Sequence, residues 1–274
     1  MTDPAQAEKD RLTGLLEDEW SAIADLLSGL NERQWRTSVL PGWTVHDVVA
    51  HMIGTERMLA GDEVPVVPAD ADLGPHVRND IGKVNEGWIV ALRDRPDADL
   101  LADFRSVTTR RLDSLRQMSV GEFNAPSWTP AGQATFARFM QIRIFDCWMH
   151  EQDIRAALGL PGHDGGPVAE QALAEVILAL GYIVGKRGRA PAGCSVLISL
   201  RGPVERELAV VVDGRARVVE ALDGVPTASM RLSSDLFMRL AGGREDPQAA
   251  LASIELGGDE ALARQLATSL SYTI

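Results

Sequence analysis

The most chemically suggestive pair in the sequence is Asp146 and His150, four positions apart in a long segment with apolar periodicity. On an α-helix, at about 100° per residue, these side chains lie only about 40° apart, so a carboxylate and an imidazole share one apolar face. A buried carboxylate needs a cation, a metal ion or several hydrogen bonds to offset its lost hydration. The spacing suits two ligands of one metal ion, and a simple hydrogen bond within the helix is the alternative.

His51 is the candidate for a third ligand from another helix. It lies in VHDVVAHMIG at the border of an apolar stripe, where a solvated or capping role is the alternative. Two histidines and one carboxylate from two helices leave an open position on a divalent ion, which is the arrangement that catalytic zinc needs. Arg143, one turn before Asp146, offers a competing explanation, because an ion pair between them would make the site metal-free.

The remaining candidates for chemistry are weaker. His46, in the first turn of its helix, is expected to be structural, and His76 and His163 lie in loops without a pattern of partner ligands. Asp153, one turn after His150, could orient that ring, with a solvated carboxylate as the alternative. The six tryptophans are scattered and are expected to serve mainly in packing. The sequence contains no G-x-S-x-G, P-loop, G-x-G-x-x-G or H-E-x-x-H motif.

Composition and charge exclude several classes of function. The 274 residues are 45% hydrophobic and 24% charged, as in an ordinary globular protein. The formal net charge of -12 opposes binding to nucleic acid or to anionic lipid. The chain starts with the polar segment MTDPAQAEKDR, and we expect no apolar stretch long enough to span a bilayer. Both features predict a cytoplasmic protein without a membrane partner. Cys147 and Cys194 are far apart, so thiol chemistry would need a thiol from outside.

Helical periodicity supplies the elements that must position the candidate ligands. Thr44 and Asp47 form the pattern of a capping box at the start of the helix that carries His51. Gly159 and Pro161 end the helix that carries Asp146 and His150. The first 160 residues therefore predict a helical bundle, with helices over 9–30, 44–59, 77–93, a stretch after Pro96, and 135–158.

The C-terminal third has a different pattern. Short apolar runs predict strands, and Asp213-Gly214 between two of them is a strong hairpin signal. Arg231, Arg239 and Arg244 surround a predicted helix and could hold a carboxylate, with a solvated face as the alternative. The sequence thus predicts an α+β protein with two domains, 1–162 and 163–274, and in the second domain helices over 167–184, 233–240 and 259–270 and strands over 195–200, 207–212, 216–220 and 252–256.

Two segments, PGWTVHDVVAHMIG (41–54) and FDCWMHEQDIRAALGLPG (145–162), resemble the mycothiol-dependent maleylpyruvate isomerase family in residue types, order and separation. RLSSDLFMRLAGG and GGDEALARQLATSLSYTI are similar to the small sterol-carrier-like α+β domain that follows the family's DinB-like metal-binding bundle. The resemblance covers nearly the whole chain. It implies an up-down four-helix bundle followed by a sterol-carrier-like domain.

The resemblance also implies a site. The family's metal ligands fall on His51, Asp146 and His150, which implies a divalent metal, expected to be zinc. The family has Glu where this chain has Asp146, so the metal must lie closer to the helix or be reached through water. Two arginines bind the organic acid in the family, and Arg78 and Arg231 are the nearest candidates here.

The implied function is that of a metal-dependent enzyme that uses mycothiol as cofactor or cosubstrate. The thiol takes the open metal position, and its thiolate attacks a small electrophilic organic substrate, in an isomerase or an S-transferase. The expected partners are that substrate and a low-molecular-weight thiol, with no nucleic acid, and the protein is a monomer or homodimer. A non-catalytic small-ligand binding module, with the bundle as scaffold, is the alternative.

Overall fold

The computed structural model describes residues 3–67 and 73–273. Its contacts divide the chain into two compact units, Met1–His163 and Asp164–Ile274. The division of the chain into domains 1–162 and 163–274 stays a prediction.

The N-terminal unit is built from helices and two short antiparallel hairpins. The hairpins precede α3 and α7, the two helices that carry the candidate ligands. The elements are α1 (Pro4–Ser28), α2 (Glu32–Trp35), β1 (Ser38–Leu40), β2 (Trp43–Thr44), α3 (Val45–Leu59), α4 (Asp80–Leu92), α5 (Asp97–Gln117), α6 (Val120–Phe123), β3 (Pro126–Thr129), β4 (Gly132–Thr135) and α7 (Phe136–Leu158).

Four long helices form a bundle in which α1 and α3 each pack against both α5 and α7. The side chains between them are apolar and almost fully buried, because each helix repeats apolar residues at three- and four-residue intervals. The fold class expected for the first 160 residues is confirmed. Its core includes Leu12, Leu16, Ile23, Val48, Ile53, Leu100, Phe104 and Ile144.

The start of α3 is fixed as the sequence predicts. The Asp47 amide donates to Thr44 Oγ1 at 3.3 Å and the Thr44 amide donates to Asp47 Oδ2 at 2.9 Å, which is a reciprocal capping box. Because the cap sets the first turn, His51 is held two turns further along the helix. The β1–β2 hairpin ends immediately before this cap and places Trp43 next to it.

The direction of α7 relative to α3 follows from two contacts. His51 of α3 faces Asp146 of α7, whereas Glu56, further along α3, faces Arg143, earlier along α7. The two helices therefore run antiparallel. Gly159 ends α7 in the left-handed conformation, at φ +65°, as expected for a glycine that closes a helix.

The C-terminal unit is an α+β structure, in agreement with the predicted fold class. Its sheet has the order β7-β6-β5-β8-β9, in which β5 and β8 are parallel and the other pairs antiparallel. The elements are α8 (Gly166–Tyr182), which continues as a π-helical turn (Ile183–Arg187), β5 (Ser195–Arg201), β6 (Arg206–Asp213), β7 (Arg215–Val219), β8 (Ala228–Ser233), α9 (Ser234–Ala241), α10 (Pro247–Ala250), a 3₁₀ turn (Leu251–Ser253), β9 (Glu255–Gly258) and α11 (Glu260–Ala267).

One strand prediction needs correction, and one strand was not predicted. The strand expected over 252–256 begins at Glu255, because Leu251–Ser253 forms a 3₁₀ turn after α10. No strand is predicted over β8, whose short ASMRLS segment alternates buried and less buried side chains and carries polar residues at the less buried positions. The hairpin prediction is confirmed, with Gly214 at φ +67° between β6 and β7.

The expectation that no stretch has the length of a bilayer span is wrong by length and composition alone. The helical segment Gly166–Arg187 is long and apolar enough to cross a membrane. In the structure 56% of its 18-residue apolar stretch is buried. The segment packs on β6, β7 and α9 of its own unit. The segment therefore serves as a core helix.

The close approach of α3 and α4 gives a prediction about Gly54, one turn after His51. A Cβ at this position would overlap Cβ and Cγ of Trp88 on α4. Because overpacking costs about 1–3 kcal/mol, more than the gain in helix propensity, we expect Gly54→Ala to lower the melting temperature. Gly14→Ala is the matched control, since a Cβ there meets nothing within 4 Å, and it should raise the melting temperature. Equal shifts in calorimetry would contradict this packing.

Candidate metal centre

His51, Asp146 and His150 come together between α3 and α7. One ligand atom from each residue lies within 4.8 Å of the other two. His51 Nε2 is 3.4 Å from Asp146 Oδ2, and His150 Nε2 is 3.6 Å from Asp146 Oδ1. The two rings meet edge to face with their centroids 5.0 Å apart. Both imidazoles thus present Nε2 to the same carboxylate.

The chemistry of this donor set fits a divalent cation. Two imidazole nitrogens and one carboxylate oxygen are ligands that zinc accepts. Among the described residues His51 Nδ1 is buried without a hydrogen-bond partner. Nε2 is therefore the nitrogen of the His51 ring that faces a polar atom, Asp146 Oδ2. His150 Nδ1 lies 3.4 Å from Asp153 Oδ2, which is ion-pair distance without hydrogen-bond geometry. Asp153 is thus placed where the sequence hypothesis would have it orient the His150 ring.

Protonation in the site favours a cation. Burial lowers the pKa of His51 more than the Asp146 carboxylate raises it, so the ring is neutral at neutral pH. Only a neutral imidazole offers a lone pair to a metal. Burial by itself would raise the pKa of Asp146, but the Arg143 guanidinium, with His150 and His51, holds it well below its usual range. The carboxylate is therefore ionised and the imidazole of His51 unprotonated.

Access to the cluster is asymmetric. The side chains of His51 and His150 are each 7% exposed, whereas that of Asp146 is 30% exposed. Asp146 is therefore the member of the cluster most open to solvent. The adjacent Cys147 does not offer a nucleophile, because burial raises the pKa of its thiol to about 12.

Arg143 does form the ion pair that the sequence offers as an alternative to a metal. Its Nη1 donates to Asp146 Oδ2, and its Nε donates to Glu56 Oε1 at 2.9 Å. Arg111 of α5 donates from Nε to the other Glu56 oxygen, also at 2.9 Å. The result is an alternating chain of charges, Arg111–Glu56–Arg143–Asp146, in which the first three side chains are buried and Asp146 is partly exposed. The ion pair and the two-histidine cluster share one carboxylate, so they are parts of one arrangement.

The aromatic ring of Trp43 lies beside both histidines of the site. The Trp43 ring lies 5.3 Å from His51 and 6.1 Å from His150, measured between centroids. Trp43 Nε1 donates to Glu86 Oε2 at 3.2 Å, and His76 Nε2 lies 3.3 Å from the same oxygen. Sequence reasoning placed Trp43 among the packing residues. Its place directly before Thr44 could have indicated this role, because the capping box fixes the position of the residue that precedes the helix.

The two arginines expected to bind an organic acid lie in different units. Arg78 is exposed in the loop before α4, two positions after His76. Arg231 lies on β8, 54% exposed, with its Nη1 3.5 Å from Glu255. Arg239 donates to Glu245 at 2.9 Å, so Arg231 and Arg239 have separate carboxylate partners within the protein. The roles of Arg78 and Arg231 remain predictions.

The family model described as mycothiol maleylpyruvate isomerase N-terminal domain matches residues 16–155, slightly more than half of the chain. The chain belongs to the mycothiol maleylpyruvate isomerase family. The matched region contains all three members of the candidate metal centre. Membership confirms the resemblance seen in the two sequence segments and places the chain in a family of enzymes.

Two solved structures of the mycothiol-dependent maleylpyruvate isomerase share the fold of this chain. A crystal structure of the mycothiol-dependent maleylpyruvate isomerase is 18% identical, with 94% of this chain and 96% of that chain covered and a TM-score of 0.56. A histidine-to-alanine mutant of that isomerase gives the same identity and coverage, with a TM-score of 0.55. The solution structure of the sterol carrier protein domain 2 of Helicoverpa armigera is 16% identical over 36% of this chain and 91% of that chain, with a TM-score of 0.29. A search of the curated proteins found no match.

The buried charge chain gives a prediction about stability. Arg143→Met leaves the Asp146 carboxylate without its cation and one Glu56 oxygen without its donor, and losing one partner of a buried pair costs about 3–5 kcal/mol. We expect urea unfolding to report a loss of that size. Arg116→Met is the control, because Arg116 pairs with Glu17 where both side chains are about half exposed, and it should hardly move the midpoint. A similar small change in both variants would show that the chain of charges does not stabilise the bundle.

Proposed function

We propose that this protein is a metal-dependent enzyme that uses mycothiol as cofactor or cosubstrate, an isomerase or S-transferase acting on a small electrophilic organic substrate. The observation that supports it most is the convergence of His51, Asp146 and His150 within 4.8 Å inside the family's matched domain. Three side chains from two antiparallel helices provide the donors, and Asp146 is the one most open to solvent.

His51 Nε2, His150 Nε2 and an oxygen of Asp146 would hold the metal, which we propose to be zinc. When bound, zinc polarises an attached ligand and lowers the pKa of a coordinated thiol. Asp146 carries one methylene fewer than the glutamate of the family pattern. Arg143 holds this shorter carboxylate through Oδ2, the oxygen that also faces His51, and keeps it ionised.

The surrounding residues would shape the reaction without supplying a nucleophile. Trp43 covers both imidazoles and limits the access of water to their faces. The thiol of Cys147 stays protonated, so the attacking sulfur comes from mycothiol. Arg78 in the N-terminal unit and Arg231 in the C-terminal unit are each proposed as a carboxylate-binding residue, since a guanidinium offers paired donors to an organic acid.

This function is compatible with the other sequence-based expectations, which we keep as proposals. The protein would act in the cytoplasm as a monomer or homodimer, and its partners would be a small-molecule substrate and the thiol. The acidic net charge of -12 argues against a nucleic-acid partner. A non-catalytic binding module remains the competing hypothesis, and it predicts a bundle without bound metal.

Metal content separates these hypotheses. We expect His51→Ala to reduce the zinc bound per chain by one equivalent, measured by elemental analysis of protein purified without chelator. His46→Ala is the matched control, because His46 lies on the same helix, equally buried, with its Nε2 2.9 Å from the Arg95 carbonyl oxygen. It should keep the full metal content. Equal zinc in the two variants would reject the assignment of His51.

Thiol binding gives an independent test. At a concentration near 100 times its dissociation constant, a ligand of the folded state stabilises it by about 2.7 kcal/mol, so mycothiol should raise the melting temperature of the zinc-loaded protein. The shift should disappear in His150→Ala. S-methylated mycothiol is the control ligand, since its sulfur cannot become a thiolate, and it should give a smaller shift. Identical shifts for the wild type and His150→Ala would place thiol binding elsewhere.

A further inference from the structure

A second group of ligand-bearing side chains lies on a different face of α7. Glu19 of α1, Glu151 of α7 and His163, just after α7, each offer one atom within 4.8 Å of the other two. Both glutamates are 0% exposed and His163 is 26% exposed. Glu151 follows His150 directly in sequence, so on the helix its side chain is turned by about 100° from the metal centre described above.

Glu19 is the unexplained member of this group. Among the residues that the structure describes, neither of its carboxylate oxygens has a hydrogen-bond partner, although both are fully buried. Burial, followed by the negative charge of Glu151, raises the pKa of Glu19 well above its usual range. A buried carboxyl group in this state must either take up a proton or face a cation.

The positive groups nearby make their hydrogen bonds to Glu151 and not to Glu19. Arg155 donates from Nε to Glu151 Oε1 at 2.8 Å, and His163 Nδ1 lies 2.6 Å from Glu151 Oε2. The distance from His163 Nδ1 to Glu19 Oε2 is 3.6 Å, too long for a hydrogen bond. His163 Nδ1 therefore points between the two carboxylates and bonds only one of them.

The position of His163 is fixed by its backbone. Its carbonyl oxygen accepts from Trp148 Nε1 at 2.9 Å and from Gln152 Nε2 at 3.2 Å. Its φ of +57° is in the left-handed region, which is uncommon for a residue other than glycine. The backbone of His163 is thus anchored by contacts that do not involve the carboxylates.

We propose that Glu19, Glu151 and His163 form a second divalent-metal site, structural in role, that binds zinc between α1, α7 and the chain segment after α7. This departs from the sequence-based expectation that His163 is not a ligand. His163 Nδ1 and Glu151 Oε2 would each bind the ion, and any proton held between them would leave to solvent. Arg155 would remain on the other Glu151 oxygen, and Glu19 would gain a metal bond where it has no hydrogen bond.

Zinc stoichiometry tests the proposal, with zinc itself as the probe. After equilibration with zinc and removal of excess ion, we expect two equivalents in the wild type and one in Glu19→Gln. Glutamine keeps the volume of Glu19 and removes the buried charge, so this variant should fold. His163→Asn is the second variant, because asparagine tolerates a positive φ while the imidazole is lost. It should also hold one equivalent.

The outcome is distinguishable from that of the proposed function. His51→Ala should hold one equivalent and His51→Ala combined with Glu19→Gln none, so each site is counted separately. Undiminished zinc in both Glu19→Gln and His163→Asn would overturn the second site and leave the first untouched. The second site also fails if Glu19→Gln raises the melting temperature while chelator has no effect on the melting of His51→Ala, because Glu19 would then be a protonated carboxyl group that needs no metal.

Discussion

The candidate site depends on one electrostatic constraint, the placing of the Asp146 carboxylate on a helix face that otherwise packs into a bundle. A carboxylate there is tolerable only with positive charge or donors around it. Arg143 supplies the charge at Oδ2, and His51 and His150 present their Nε2 atoms to Oδ2 and Oδ1 respectively. The same carboxylate thus serves as the counter-ion of a buried arginine and as the anchor of a cation site.

The bundle makes this possible by aligning charges across helices. Glu56 lies between Arg111 and Arg143, so the positive end nearest Asp146 is itself held in place by a buried acid on α3. Because α3 and α7 are antiparallel, the turn that carries Glu56 meets Arg143 while the turn that carries His51 meets Asp146. One helix pair thereby fixes both the ionisation of the carboxylate and the position of its histidine neighbour.

Much of this arrangement follows from local sequence patterns, because helix caps and helical spacing are local. The Thr44 cap and the Gly159 end set the two helices, and the four-residue spacing of Asp146 and His150 puts them on one face. Spacing alone left His51 at the edge of its apolar stripe, because which way that edge faces depends on the neighbouring helix. Local patterns did not predict the role of Trp43 for a related reason, because its position is set by the β1–β2 hairpin, which ends beside the site.

The central claim is that His51, Asp146 and His150 share one metal ion. Anomalous diffraction from crystals grown with zinc, recorded on both sides of the zinc edge, tests it most directly. We predict a peak bonded to Nε2 of both histidines at about 2.0–2.1 Å and to a carboxylate oxygen of Asp146 at about 2.0–2.2 Å. Zinc-loaded crystals without a peak between these three side chains would contradict the account.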